Sequence, residues 1–216
     1  MDGKELNASI RRCLAHLTTY SEELGDLDQA LGDGDLGITV SLGTAAADEA
    51  LQALPENSTP REVVLACAKA FANANPSTMA ALVAGALLAG SRVLGDSSTV
   101  APEHVGRFAL VAAESISQRG KSQVGDKTIL DAMFPAAEAL MQTQPREKAF
   151  DAAIEAAEHG VMTSKELQSR RGRASWLQER SIGLQDPGAT GYLRFLQSWK
   201  ASNGTAAGVQ EVEVSR

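Results

Sequence analysis

Aromatic residues are scarce, at 4% of the 216 residues, so a deep aromatic-lined cavity of the kind that holds isoprenoid chains has little to be built from. Cysteine is nearly absent as well. Cys13 and Cys67 both sit among apolar residues on helix-like segments, which reads as buried thiols in a reducing, cytoplasmic setting, with a disulfide between them left open. With only three histidines, at 16, 104 and 159, and none beside a Ser or Cys partner, neither a zinc site nor a Ser-His or Cys-His catalytic pair is indicated. Positive charge is in deficit, with a net charge of −7 and a pI near 5.0. A nucleic-acid backbone would find no basic face to bind. The longest apolar run, Met79 to Leu88, is too short to cross a bilayer, and MDGKELNASIRRCL lacks a basic-then-apolar leader pattern, so no membrane association is expected.

What the chain does have is Ala and Leu within a 44% hydrophobic content, a composition suited to helices packed closely through small side chains. Apolar periodicity predicts a first helix from Leu6 to Leu24 and a second over about 37–54, ending before Pro55. Pro60 opens a third over 61–72. Ser77 and Thr78 cap a fourth from Met79 to Leu94, and a fifth runs from Pro102 to Arg119. The sixth passes through Ile129 to Leu140 with a kink at Pro135, the seventh spans 146–158, and the eighth starts at Pro187 with Asp186 as cap. No segment alternates convincingly as a strand. The expectation is an all-α protein, an eight-helix antiparallel bundle or barrel over residues 1–202, followed by a tail, 203–216, with too little apolar content to pack.

Chemistry concentrates in Asp28-Gln29-Ala30-Leu31-Gly32-Asp33-Gly34-Asp35-Leu36-Gly37. Three carboxylates repel one another unless a cation sits between them, and an all-oxygen donor set suits magnesium held together with substrate phosphates. A helix begins at about Gly37, so the loop runs into amides that favour a phosphate. An ordinary capped Asp/Gly turn is the plain alternative. A calcium EF-hand is not, because the twelfth position counted from Asp33 is Thr44 rather than Glu. Gly120-Lys121-Ser122 mimics the end of a phosphate-binding Walker loop, but Ser115 stands where the first Gly is required and no strand precedes it. Gly125-Asp126-Lys127-Thr128 is either helix capping or a further polar wall. The Arg-rich stretch 161–185 is either a solvated charge run or a phosphate-facing segment, with Ala174, Trp176, Leu177 and Ile182 as expected apolar anchors.

Taken together, Leu27-Asp28 with GDGD at 32–35, GDKTILDAM at 125–133 and GRASWLQERSIGLQDPGAT at 172–190 resemble the ADP/ATP-binding L subunit of dihydroxyacetone (glycerone) kinases, in the right order and over nearly the whole domain. The resemblance implies an eight-helix barrel with the nucleotide at one end. It implies that Asp28, Asp33 and Asp35 hold two magnesium ions, and that Leu36, Gly37, Ile38, Thr39, Pro76, Ser77, Gly120, Ile129, Arg173, Asp186, Pro187 and Gly188 line ADP or ATP. Asp28, Asp33, Asp35 and Arg173 would carry the catalytic role. The implied activity is phosphoryl transfer to a small ketose, dihydroxyacetone or erythrulose, held on a separate K subunit. The donor is ATP, or ADP recharged by a phosphocarrier of the phosphotransferase system, and a homodimer is compatible with the family. Two departures stand out: Leu36 replaces the family's His, and Asn75-Pro76-Ser77-Thr78-Met79-Ala80 replaces a glycine-rich loop. Both keep open a non-catalytic, nucleotide-binding regulatory or scaffold module of the same fold.

Overall fold

In the computed structural model, which describes residues 1–204, nine α-helices account for almost all regular structure among the described residues. They are α1 (Gly3–Leu17), α2 (Ser21–Leu31), α3 (Leu36–Gln52), α4 (Pro60–Ala74), α5 (Thr78–Leu94), α6 (Pro102–Gly120), α7 (Leu130–Gln142), α8 (Ala149–Ser164) and α9 (Pro187–Asn203). Each helix from α2 onward packs against its successor, and α9 returns to α1 and α2, so the bundle closes into a ring. No helix of the described residues is long and apolar enough to cross a membrane. The all-α expectation holds. Of the segment expected to form a tail, Asn203 still belongs to α9 and Gly204 caps it, while 205–216 lies outside the described residues.

Starts of helices follow local chemistry. Asp2 and Glu5 form a reciprocal capping box that opens α1 three residues before its first apolar contact, Leu6, and Thr59 with Glu62 does the same for α4 behind Pro60. The helix expected over Leu6–Leu24 is in fact two. Thr18 Oγ1 donates to Leu14 O at 2.9 Å, Thr19 Oγ1 to His16 O at 2.7 Å and Ser21 Oγ to Thr18 O at 2.8 Å. Those hydroxyls compete with the main-chain ladder, and a 3-10 turn, Thr18–Tyr20, separates α1 from α2. Counting this broken run once gives eight segments. Because α2 continues to Leu31, Asp28 sits on a helix rather than in the glycine turn.

Small residues set the spacing. Ala132, Ala136, Ala153, Ala157 and Ala189 are fully buried where α7, α8 and α9 meet. Pro135 lacks the N–H that would bond Asp131 O, and Gly160 of α8 presses into that opening: a Cβ there would lie 2.0 Å from the Asp131 carbonyl oxygen. The two cysteines are free and buried, with burial pushing each thiol up to about 12.

Candidate functional site

The last turn of α2, the turn at residues 32–35 and the first turn of α3 bring three carboxylates to one point. One oxygen from each of Asp28, Asp33 and Asp35 lies within 4.8 Å of the other two. Gly34, at φ +76°, takes the left-handed conformation that the reversal needs. The backbones of α2 and α3 then close on each other, since a Cβ on Gly37 would sit 2.2 Å from Ser21 O. Asp28 Oδ2 accepts from the Leu36 amide at 3.2 Å, while the Leu36 side chain is buried. It is therefore the main chain of Leu36 that meets the cluster.

Electrostatically the cluster is under-compensated. Burial, and then the neighbouring Asp28, raise the pKa of Asp35. The cation at hand is Arg173, which pairs with Asp33 and lies 4.0 Å from Asp35. All three groups remain accessible, with side chains 57%, 43% and 42% exposed respectively, so the carboxylates are held together but not consumed by internal partners.

Other helix ends converge on the same end of the ring. In the first turn of α3 the Leu36 amide bonds Asp28 and the Thr39 amide donates to Asp35 O at 2.8 Å, which leaves the amides of Gly37 and Ile38 in the usual position of a helix start. Asn75 Nδ2 donates to Thr39 Oγ1 at 2.9 Å and ties this turn to the Pro76-Ser77 approach to α5, where Ser77 is buried. At the start of α9, a Cβ on Gly188 would lie 3.3 Å from both Ile129 Cβ and Met79 Cε, so α5, α7 and α9 begin side by side. Asp186 caps α9 by accepting from Ala189 N at 2.7 Å, ahead of Pro187. Burial pushes its carboxyl up to about 7, against that amide bond, with Asp131 and Asp28 adding to the rise and Lys127 opposing it. Gly120, at the end of α6, rests near Leu82 of α5. A groove of about 650 Å³ between α1 and α3, bordered by Arg11, Thr18 and Asp48, shares no lining residue with this cluster.

Two expectations change. The segment 125–131 does not present its polar groups outward: Asp126, Lys127 and Asp131 are all buried. Asp131 accepts from Gly125 N at 2.6 Å and Thr128 N at 2.7 Å, and Asp126 accepts from Gln123 N at 3.1 Å and Arg171 Nε at 3.0 Å. Nor is the 161–185 stretch fixed by the apolar anchors expected. Trp176 is 79% exposed and Ile182 49% exposed, while Ala174 and Leu177 are half-buried. Its fastening is polar. Lys127, which sequence reasoning missed as a fastener, donates to the carbonyls of Ser164, Leu167, Ser181 and Leu184. The available signal was a lysine flanked by Asp126 and Asp131 in a glycine turn.

The DAK2 domain family matches residues 30–201. The PEP-dependent dihydroxyacetone kinase ADP-binding subunit DhaL of Escherichia coli K12 is 30% identical over 201 residues, covering 87% of this chain and 91% of that protein. The L-erythrulose 1-kinase of Mycolicibacterium smegmatis is 32% identical over 87% of this chain, which spans only 35% of that longer protein. The native crystal structure of the C. freundii dihydroxyacetone kinase superposes with a TM-score of 0.73 at 22% identity, covering 92% of this chain and 34% of that one. At that identity the likeness concerns the fold.

Proposed function

The chain is a member of the DAK2 domain family, and on that premise we propose that it is the nucleotide-binding L subunit of a dihydroxyacetone-type kinase. Residues 1–202 form the binding domain in this reading. A phosphoryl group passes to a short-chain ketose, such as dihydroxyacetone or erythrulose, carried by a separate K-type subunit. The observation that carries the reading is the convergence of Asp28, Asp33 and Asp35, their oxygens within 4.8 Å, beside an accessible Arg173.

The donor set fits magnesium, being all oxygen, anionic and short of internal partners. Asp28, Asp33 and Asp35 would hold two such ions, whose chemistry when bound is to neutralise phosphate charge and hold the transferring group in place. The rest belongs to this chain. Arg173, poised at Asp33, turns its planar guanidinium to phosphate oxygens. Amides of Gly37 and Ile38, and those at the starts of α5 and α9, face the anion with the positive ends of their helices, and Thr39 lines the same turn. Pro76, Ser77, Gly120, Ile129, Asp186, Pro187 and Gly188 form the remaining wall, with glycine at 188 letting the start of α9 close on Ile129 and Met79. Rate enhancement comes from positioning and charge neutralisation rather than from proton transfer by a side chain.

The donor is Mg-ATP or a resident ADP recharged by a phosphocarrier. The likeness to a PEP-dependent, ADP-binding subunit over most of both chains supports the second. Extensive dialysis separates the two: ADP that survives it, with ATP failing to drive turnover, establishes the carrier route. For the function itself, Asp33→Ala in complex with a K-type subunit is expected to lose both Mg-ADP binding and turnover. Near-normal turnover would overturn the proposal.

A further inference from the structure

Lys127 is one of the most deeply buried side chains of the molecule, at 2% exposure, and it is spent entirely on main-chain oxygens. Its ammonium donates to Ser164 O at 2.8 Å, Leu167 O at 3.1 Å, Ser181 O at 2.7 Å and to Leu184 O. With three N–H donors and four acceptors, no donor is left over for a ligand. The backbone is bent to achieve this, because Lys127 holds φ +60°, a left-handed conformation that a β-carbon disfavours. Its acceptors come in two pairs. Ser164 and Leu167 lie where the chain leaves α8, and Ser181 and Leu184 lie where it returns towards α9. One ammonium thus pins both feet of the strap that runs between them.

Two further contacts reinforce the base of that strap. Ser169 N donates to Ser181 Oγ at 2.9 Å, and Gly183 N to Lys165 O at 2.7 Å. From the same turn as Lys127, Asp126 O accepts from Arg170 N at 3.1 Å and its carboxylate pairs with Arg171 at 3.0 Å. Arg173 follows two residues later, at the carboxylate cluster. With Trp176 and Ile182 largely in solvent, apolar burial contributes little to holding it there.

Resting on the nucleotide-binding reading above, we propose that Lys127 is a positioning residue, which by closing the 164–184 strap sets Arg173 against the phosphates of the bound nucleotide. A flexible strap would have to be ordered each time Arg173 engaged, at the expense of affinity; a strap ordered in advance removes that loss. Lys127 touches neither metal nor nucleotide and acts through Arg173 alone.

The test uses the full chain in four forms: wild type, Lys127→Met, Arg173→Ala and the double variant. Mg-ADP titration calorimetry is expected to show each single variant weakened by roughly 10- to 100-fold, the range for losing one charge-assisted contact. The double variant should be no weaker than Arg173→Ala, because the second change has nothing left to act through. Magnesium binding without nucleotide should not weaken in Lys127→Met, since the carboxylates are held by α2 and α3 and Arg173 competes with the ion at Asp33. Wild-type affinity for Mg-ADP in Lys127→Met, or a double variant weakened by the product of the two single factors, would overturn the proposal. Hydrogen exchange provides an arm independent of nucleotide. Peptides over 165–185 should exchange slowly in wild type despite their exposure, and fast in Lys127→Met or, where that variant does not fold, Lys127→Gln. Fast exchange in wild type, or unchanged protection in the variant that folds, refutes the role of Lys127. Failure of wild type itself to bind Mg-ADP refutes instead the nucleotide reading on which the proposal rests.

Discussion

Two Gly-Asp turns of this molecule lead into helix starts, one at residues 32–35 before α3 and one at 125–128 before α7, and they treat their carboxylates in opposite ways. In the second, Asp126 and Asp131 are buried and each accepts two hydrogen bonds from the chain itself. In the first, Asp33 and Asp35 keep more than two-fifths of their side-chain surface exposed and share one arginine. Asp28 accepts from the Leu36 amide at 3.2 Å. An acidic turn whose charges are satisfied internally serves as scaffold; one whose charges are gathered with few internal partners is the candidate for holding a cation. Composition does not separate the two, whereas the inventory of partners does.

That contrast breaks first at Asp131. Replacing it with Ala strands the half-buried amides of Gly125 and Thr128, each costing up to about 1–3 kcal/mol without an acceptor. Chemical denaturation should register a loss of several kcal/mol, whereas a change below about 0.5 kcal/mol would mean that the turn at 125 is no more built-in than the turn at 32. Asp33→Ala should behave in reverse. Mg-ADP affinity is expected to fall by at least the roughly 10- to 100-fold that follows loss of a partner one shell further from a metal, while the denaturation midpoint stays put or rises because a like charge has gone. A stability loss as large as that of Asp131→Ala would erase the distinction between site and scaffold.

Asp186 lies between these extremes, buried like Asp131 yet near enough to Asp28 to respond to its charge. Burial keeps its proton on up to about pH 7 in the folded chain, against an ordinary 3.8 in the unfolded one. Between those values the folded state binds more protons, so this group lowers stability as pH rises from about 4 to about 7. Asp186→Asn preserves the cap of α9 and removes the titration. Melting temperature plotted against pH should therefore be flatter by that component in the variant; parallel wild-type and variant profiles would show that Asp186 ionises in the fold as it does in water.

Much of this was legible from residues alone. Pro60, Pro102 and Pro187, the last with Asp186 as cap, mark helix starts because their effect is local. The carboxylate convergence was readable from the spacing of 28, 33 and 35 around glycines, and the three segment motifs supplied the family. Less visible was the break at Thr18–Tyr20, where side-chain hydroxyls bond main-chain carbonyls in competition with the helix ladder. The burial of Lys127 was not visible, since its acceptors lie 37 to 57 residues away and three of the four fall in the irregular 165–185 stretch. Trp176 misled in the other direction. An aromatic among arginines reads as an anchor by type, yet nothing near it in sequence says whether a partner surface exists.

Trp176 therefore offers the smallest and most discriminating perturbation of the comparison. If the strap is held by its buried polar feet, then Trp176→Ala, at 79% exposure, removes almost no buried surface. Its effect on stability should be within about 0.5 kcal/mol, the range of surface substitutions that touch no special feature. Mg-ADP affinity should be unchanged in the same variant, because Arg173 is set by Lys127 and Asp126 from below rather than by an aromatic lid from above. A loss of affinity at constant stability would place the indole over the nucleotide and shift part of the site from the carboxylate turn to the strap. A loss of stability would instead restore the apolar anchoring that the sequence suggested, and would weaken the case for polar fastening. Calorimetry and denaturation on one variant thus decide whether the strap, like the turn at 125, is scaffold, or whether its outer face belongs with the turn at 32.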